Sequence, residues 1–365
     1  MPGCAKIGAE IRPKIAPHGA SVAKASRTMV MKNNKAPTSR SKPRIPKPAK
    51  PKRRREPLPE YRPKPAEDDP EAGLRLKAIL ASPTYRQADQ DVEFLERDDL
   101  RGMRLLLDFM KPELLLRDAG IRHTVVVFGS SRISEPGAAA RNLEALRAAL
   151  SEDGGDARLA AEVRVAERIL DKSRYYDVAR EFGRLVGASN PGPREHQIVI
   201  MTGGGPGIME GTNRGAFDVG ARSIGVNIAL SHEQFPNPYV TPELCFRFHY
   251  FALRKLHLLL RAKALVAFPG GYGTFDELFE VLTLIQTRKI KPMPVILVGE
   301  EFWRKAVDFD FLVAEGVIAA EDRELFWFCE KADEIWKGIL RWHEASGEPL
   351  RPVASDDPAH GIPRT

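Results

Sequence analysis

Residues 269–277 read PGGYGTFDE and combine a glycine-rich turn with a hydroxyl and a carboxylate. Glycine lets the backbone approach a ligand closely, and the N–H groups that open a helix attract an anion. Thr274 and Glu277 follow the glycines, so a carboxylate would stand near any phosphate that the turn holds. We expect this segment to grip a phosphate and to present a carboxylate to the molecule that carries it.

The same residues also fit an ordinary structural pattern. Thr274 followed by Glu277 is a T-x-x-E capping box, in which the two side chains satisfy backbone N–H groups at a helix start. Apolar residues at helical spacing over 278–285 predict an amphipathic helix directly afterwards. On local pattern alone, capping explains Glu277 best. Asp276 and Glu280 crowd more negative charge beside a phosphate loop, and this favours a functional task for one of the acids.

Two further clusters of small residues follow short apolar runs. GSSR at 129–132 comes after the run at 123–128, and GGGPG at 203–207 comes after the run at 198–201. One glycine turn after a strand is common, but three at equivalent places are harder to dismiss. Ligands of parallel sheets bind beyond the carboxyl ends of the strands. We therefore expect the three loops to lie together and to bind one anionic ligand.

The loops do not match the sequence patterns of the common nucleotide cofactors. A dinucleotide fingerprint would need glycine where Ile208 or Glu210 stands, and no acidic residue promptly follows the strand ending near Ile228. No GxxxxGK[ST] loop for ATP occurs either. A mononucleotide or a sugar phosphate fits the loops better than NAD does.

Arg254 and Lys255 stand upstream of the third loop in the segment FHYFALRKLHLLLRAK. A pair of exposed basic residues on a helix surface would be commonplace. The alternative is that Arg254 clamps a phosphate or a ribose with its planar guanidinium group. Both interpretations place the pair on a helix whose other side is buried.

The elements that would position these residues alternate along the chain. Short apolar runs followed by helix-length segments are typical of parallel βαβ units with helices on both faces of the sheet. The predicted fold is a doubly wound, Rossmann-like α/β sheet. The predicted strands are 123–128, 198–201, 223–228, 264–268 and 294–298, and the predicted helices are 86–117 (one or two), 138–188 with a break at 152–155, 209–219, 251–263 and 274–287.

Charge is distributed unevenly over the 365 residues. The formal net charge is +7, but residues 1–65 hold 18 Lys and Arg against three Glu, which leaves −8 for the rest. We expect four parts: a disordered basic, proline-rich tail (1–70), a helical extension (71–121), the Rossmann-like domain (122–345) and a C-terminal tail (346–365). The basic tail could contact nucleic acid, but it lacks interleaved aromatic residues, so a solvated tail or an over-extended start before Met29 or Met31 is favoured.

Three widely spaced cysteines form no CxxC or Cys/His pattern, so we expect no metal site and a reducing compartment. No run of eighteen apolar residues occurs, and the N-terminus lacks the apolar segment of a secretory signal. A cytoplasmic protein without a membrane partner is the expectation.

Taken together, these motifs resemble the LOG family, which is often labelled as possible lysine decarboxylases. The family signature PGGxGTxxE is complete in residues 269–277, and the family's Arg-Lys pair corresponds to Arg254 and Lys255. FGSS after the first strand and the segment GGGPGIME also resemble family loops. The resemblance covers roughly residues 122–320, and the family's Met-His-x before Arg-Lys is here Phe-Ala-Leu at 251–253.

The resemblance implies a phosphoribohydrolase, which releases the free base and ribose 5-phosphate from AMP or a cytokinin riboside monophosphate. It implies Arg254 and Glu277 as the catalytic pair, no cofactor, and a dimer or larger homo-oligomer. The remaining residues that it places around the substrate are Ser130, Gly203, Gly204, Gly205, Met209, Glu210, Lys255, Gly270, Gly271, Gly273 and Thr274, with Glu233 as a weaker candidate.

Of two other functions, a lysine decarboxylase is excluded and a carrier remains open. A lysine decarboxylase would need a lysine that binds pyridoxal phosphate, usually beside a Ser-x-His-Lys turn, and no such sequence occurs. A non-catalytic nucleotide-binding or cofactor-carrier protein of the same fold would share the loops. The intact pair of Arg254 and Glu277 favours the enzyme over the carrier.

Overall fold

The computed structural model describes residues 63–152, 155–189, 198–229 and 235–350. The chain divides into two units, Met1–Leu80 and Ala81–Thr365. The described residues of the first unit form most of helix α1 (Ala72–Ala81), which buries none of its residues. The sheet and its flanking helices belong to the second unit.

Seven described strands form one parallel sheet in the order β4-β3-β2-β1-β5-β6-β7. The central strands consist mainly of apolar residues, and their middles are buried on both faces, as parallel sheets require. The strands are β1 (His123–Phe128), β2 (Ile198–Thr202), β3 (Ser223–Ile228), β4 (Cys245–Phe248), β5 (Ala262–Ala267), β6 (Val295–Val298) and β7 (Trp327–Cys329).

Helices cover both faces of this sheet. Along β1, Val126 and Phe128 belong to one apolar cluster, whereas Val125 and Val127 belong to the other. The helices are α2 (Val92–Leu95), α3 (Arg101–Asp118), α4 (Pro136–Glu152), α5 (Ala157–Lys172), α6 (Arg174–Ala188), α7 (Ile208–Asp218), α8 (Phe251–Leu260), α9 (Tyr272–Gln286), α10 (Glu300–Ala306), α11 (Phe309–Ala314) and α12 (Ala332–Ala345), with short 3-10 turns at Pro83–Tyr85, Asp98–Leu100, Pro242–Leu244 and Ala320–Leu325.

The two clusters belong to different sets of helices. Helices α3, α8, α9 and α10 contribute to the first cluster. Helices α6, α7 and α12 contribute to the second. This arrangement confirms the predicted doubly wound α/β fold. No helix in the described part of the chain is long and apolar enough to cross a membrane.

The sheet differs from the sequence prediction at its edges. Strands β4 (CFRF) and β7 (WFC) were not predicted, because four and three residues carry too little periodicity to stand out. The segment predicted as helical over 138–188 is three helices. The second break falls at Ser173, where no glycine or proline marks the end of a helix in the sequence.

The order of the strands reverses at β1. Strands β2, β3 and β4 lie on one side of β1 and strands β5, β6 and β7 on the other, so the crevice for a ligand lies beyond the ends of β1 and β5. The loops meet there: the N–H of Ser130 donates to the carbonyl of Pro269 at 3.0 Å, and the N–H of Ile208 donates to the carbonyl of Ser130 at 3.1 Å. The prediction that the three loops lie together is confirmed.

Candidate functional site

The glycine loop after β5 ends at a helix that begins earlier than its sequence suggests. Helix α9 starts at Tyr272 with Gly271 at the N-cap, and no side chain caps it. The N–H groups of Thr274 and Phe275 both donate to the carbonyl of Gly271, at 2.9 and 3.1 Å. Thr274 is thus already helical, and the interpretation of Thr274 and Glu277 as a capping box is wrong. Glu277 lies in the second turn and does not cap the helix.

Within this loop the glycines face two different environments. A Cβ on Gly270 would lie 2.1 Å from Oγ1 of Thr274, because the threonine side chain is packed beneath the turn. Thr274 is 5% exposed, so its hydroxyl supports the loop from below. A Cβ on Gly271 or Gly273 would meet open space. The backbone N–H groups at the start of α9 therefore border a space that a phosphate can occupy.

Arg254 and Glu277 come together at this edge of the sheet. Nη1 of Arg254 lies 3.6 Å from Oε1 of Glu277, and the two side chains are 12% and 3% exposed. The distance is too long for a direct hydrogen bond, so the pair is close but not locked. The structure thus places the two predicted catalytic residues side by side.

The backbone of neighbouring strands holds the guanidinium of Arg254 in place. Its Nε donates to the carbonyl of Val226 in β3 at 2.8 Å. A Cβ on Gly203 would lie 2.6 Å from Nη2 of Arg254 and 2.9 Å from Sδ of Met209. Gly203 is a glycine because the arginine occupies the space beside it, and the loop after β2 thereby forms one wall of the site.

Burial dominates the electrostatics of the pair. Removal from water raises the pKa of Glu277 to about 7, with repulsion from Glu280 and Asp276 adding to it and attraction to Arg254 and Lys255 opposing it. Burial likewise lowers the pKa of Arg254, and Glu277 and Asp276 oppose that shift. A carboxyl group with a pKa near 7 can exchange a proton during a reaction at neutral pH.

Lys255 has a different position from its neighbour Arg254. Its Nζ lies 3.0 Å from Oδ1 of Asp276 and 3.0 Å from Oε2 of Glu280, both on α9. Burial by itself lowers the pKa of Lys255. The hydrogen bonds to the two acids have the larger combined effect, so the pKa of Lys255 is raised. Lys255 therefore links α8 to α9, and a contact with substrate would require one of its ion pairs to open.

A buried polar network shapes the loop after β2. Gly204 has a φ of +72°, and a Cβ there would lie 2.2 Å from Oδ1 of Asn227, so only glycine fits. The amide of Asn237 donates to the carbonyl of Gly205 at 3.0 Å and to Oδ1 of Asn213 at 3.0 Å. Sequence reasoning missed these asparagines, because isolated amides outside a motif carry no signal of their partners.

The other predicted site residues differ in the contacts that their side chains make. Oγ of Ser130 accepts a hydrogen bond from the N–H of Arg132 at 3.1 Å, within its own loop. Glu210 accepts a hydrogen bond from the hydroxyl of Tyr176 on α6 at 2.9 Å, and it forms no ion pair with Arg254 in the described structure. Glu233 lies outside the described residues.

The fold and the site define a doubly wound α/β protein with a glycine-rich loop at a helix start and a buried Arg–Glu pair at the reversal point of the sheet. A family model described as "Possible lysine decarboxylase" matches residues 209–339. The chain is 31% identical over 169 residues to the cytokinin riboside 5′-monophosphate phosphoribohydrolase LOG of Oryza sativa subsp. japonica, covering 45% of this chain and 65% of that protein. It is 31% identical to LOG1 of Arabidopsis thaliana over 175 residues, covering 46% of this chain and 76% of that protein.

The chain belongs to the LOG family. Solved structures with a similar course of the chain include a molybdenum cofactor binding protein from Rippkaea orientalis (20% identity, 45% of this chain and 85% of that chain, TM-score 0.31). Another is the Moco carrier protein from Chlamydomonas reinhardtii (17% identity, 62% of this chain and 99% of that chain, TM-score 0.36). Likeness at this level bears on neither activity nor substrate.

Proposed function

We propose that this protein hydrolyses the N-glycosidic bond of nucleoside 5′-monophosphates, releasing the free base and ribose 5-phosphate. The observation that carries the proposal is the buried pair of Arg254 and Glu277 beside the open glycine loop. Relatives with matching segments are named phosphoribohydrolases of cytokinin riboside monophosphates. The substrates that we propose are AMP and cytokinin riboside 5′-monophosphates.

The phosphate would bind at the start of α9. The N–H groups of Gly271, Tyr272 and Gly273 open the helix, and the positive end of its dipole favours an anion there. The absence of side chains at Gly271 and Gly273 leaves room for the phosphate oxygens. Binding at this point would place the ribose between the loop and the side chain of Glu277, one turn farther along α9.

Glu277 would act on the reacting carbon of the ribose. As the bond to the base breaks, positive charge builds on C1′ and the ring oxygen, and an adjacent carboxylate stabilises that charge. Water supplies the hydroxyl that bonds to C1′, and its other proton goes to the departing base, directly or through Glu277. The raised pKa of about 7 suits a carboxylate that accepts this proton and returns it.

Arg254 would hold the substrate in register for that carboxylate. Its guanidinium is fixed by the carbonyl of Val226 and by the wall at Gly203, so its orientation is set before substrate arrives. The ring of Phe251 lies under the same guanidinium, with 5.5 Å between the Cζ atom and the ring centroid. Because Phe251 is 50% exposed, its ring is available to pack against the base.

We further propose that the protein works as a homo-oligomer. Large apolar side chains on α3 and α8 are exposed in the single chain: Met103 is 53% exposed, Leu106 51% and Leu256 43%. Burial of apolar surface of this kind drives association between subunits. A second copy of the chain would cover these helices.

The direct test is incubation of the full chain with a panel of nucleoside monophosphates, followed by quantification of free base and ribose 5-phosphate. We expect equal amounts of the two products from AMP, from a prenylated AMP, or from both. The variant Glu277→Gln keeps the shape of the side chain and should lose on the order of 10²- to 10⁴-fold in kcat. Tight binding of AMP without hydrolysis would instead favour a carrier, and turnover of no nucleotide would refute the enzyme.

A further inference from the structure

A second concave site lies between α3 and the outer edge of strand β4. It is a cavity of about 440 Å³, lined by α3 on one side and by residues 245–250 on the other. None of the residues assigned to the glycine loops or to the Arg254–Glu277 pair lines it. Its size is within the range of pockets that hold small metabolites.

The strand leaves backbone groups facing this cavity. In a parallel strand, alternate residues direct their N–H and C=O groups to opposite sides. The carbonyl of Phe248 accepts from the N–H of Ala229 beyond the end of β3, so the backbone of Arg247 and His249 faces outward. The carboxylate of Asp108 takes the outward N–H of His249, at 3.1 Å to Oδ1 and 3.2 Å to Oδ2. Among the described residues, no side chain or loop carbonyl accepts from the outward N–H of Arg247, so this group can donate to a ligand.

The charged groups around the cavity divide into those with partners and those without. Arg104 donates from Nη1 to two backbone carbonyls, those of Leu95 and Arg97, at 2.6 Å each. Asp108 is occupied with backbone N–H groups. The side chains of Lys111 and Arg247, both exposed, have no ion pair or hydrogen bond within the described residues. Two cations without partners thus line a cavity whose one carboxylate is already satisfied.

We infer that this cavity binds a small organic phosphate distinct from the substrate. A guanidinium and an ammonium side chain that line one cavity supply the charge and the donors that a phosphate group takes, and the outward N–H of Arg247 adds a third donor. His249 lines the same cavity. The surrounding domain is acidic, with a net charge of −8 after residue 65, so this positive site is local.

The position of the cavity links it to the helix that carries Arg254. Tyr250 is the N-cap residue of α8, and its N–H donates to Oδ2 of Asp108 at 2.9 Å. Both residues line the cavity, and Arg254 lies at the end of the first turn of the same helix. A bound anion would therefore lie beside the residues that start α8, the helix on which Arg254 stands.

The inference can be tested by calorimetric titration of the full chain with inorganic pyrophosphate at low ionic strength. The wild-type protein is expected to show binding that the double variant Lys111→Glu/Arg247→Glu weakens by about tenfold or more. The double variant Arg122→Glu/Lys289→Glu makes the same change in charge at exposed residues elsewhere and should bind as the wild type does. Both altered positions of the cavity are exposed, and Lys111→Gln/Arg247→Gln provides a milder version should the first variant fold poorly.

Pyrophosphate could also bind at the glycine loop, so the variant Gly273→Asp separates the two sites. A Cβ there meets no heavy atom within 4 Å, and the carboxylate of an aspartate repels an anion from the start of α9. Binding that survives Gly273→Asp and disappears in the Lys111/Arg247 variant belongs to the cavity. Failure of the proposed catalytic function would leave this result unchanged. Equal pyrophosphate binding by the wild type and the Lys111/Arg247 variant, or no binding to Gly273→Asp, would overturn the inference.

Discussion

Nη1 of Arg254 lies 3.6 Å from Oε1 of Glu277, although the two residues belong to different helices that follow different strands of the sheet. Each side chain is nearly buried, and each has its pKa moved by burial towards the neutral form. Perturbed pKa values of neighbouring groups in a cleft are typical of functional sites.

The rate of hydrolysis should rise with pH around neutrality. The pKa of Glu277 is raised to about 7, mainly by burial, so the carboxylate form is scarce well below pH 7 and complete well above it. If the carboxylate stabilises the charge on the ribose, kcat/KM increases through about pH 7 and then levels off. A pH profile with AMP measures the midpoint. A profile that is flat from about pH 5.5 to about pH 8.5 would contradict this role for Glu277. That range extends about 1.5 units on either side of the raised pKa.

The substitution Gly203→Ala should lower activity without unfolding the protein. The new Cβ would lie 2.6 Å from Nη2 of Arg254 and 2.9 Å from Sδ of Met209, so the ends of two flexible side chains must move. We expect a loss of roughly 10²-fold in kcat/KM, because a displacement of about 1 Å at a positioning group costs that much. The control Gly102→Ala places its Cβ in open space on α3 and should leave activity unchanged. Thermal denaturation of both variants checks that each is folded.

The substitution Lys255→Met should shift the pH profile upward. Lys255 lies 3.0 Å from both Asp276 and Glu280 and opposes the rise in the pKa of Glu277. Without the lysine, three neighbouring acids repel one another, so Glu277 binds its proton more tightly and the midpoint moves to higher pH. A merely structural role for Lys255 would lower stability and leave the midpoint in place. Lys289→Met is the matched control, because Lys289 is exposed and forms no ion pair with any residue that the structure describes.

Light scattering combined with size-exclusion chromatography should give a mass of at least twice that of one chain. The exposed apolar side chains on α3 and α8 are the expected contact, so Leu256→Glu, at a residue 43% exposed, should shift the mass towards that of a single chain. Val317→Glu alters a residue that is 66% exposed away from those helices and should leave the mass unchanged. A wild-type protein with the mass of one chain would refute the proposed oligomer.

The sequence alone predicted the interior of the fold well. Strands β1 and β3 begin and end where their apolar runs do. A parallel strand that is buried on both faces must be apolar at nearly every residue. A short, continuous apolar run is therefore a specific sign of such a strand. The edge strands β4 and β7 were missed. Strand β4 is interrupted by the exposed Arg247, and β7 has only three residues, so neither gives an apolar run long enough to stand out.

The start of α9 shows why local patterns are insufficient. Thr274 and Glu277 have the spacing of a capping box, but the helix starts at Tyr272, since Gly271 supplies the carbonyl that begins it. A capping pattern describes only neighbours along the chain. The backbone of a glycine can adopt conformations that shift a helix start by several residues, and side-chain spacing does not record this.

The sequence by itself determined which loops carry glycine and which residues could bear charge at their ends, because local chain geometry demands those residue types. Only the tertiary structure decided how those charges are paired. In the fold, Arg254 lies beside Glu277, and Lys255 forms ion pairs with Asp276 and Glu280. Glu210 accepts a hydrogen bond from Tyr176. Burial and pairing depend on which helices the sheet brings together. The pKa of Glu277 is therefore a property of the packed fold, not of the motif in which the residue stands.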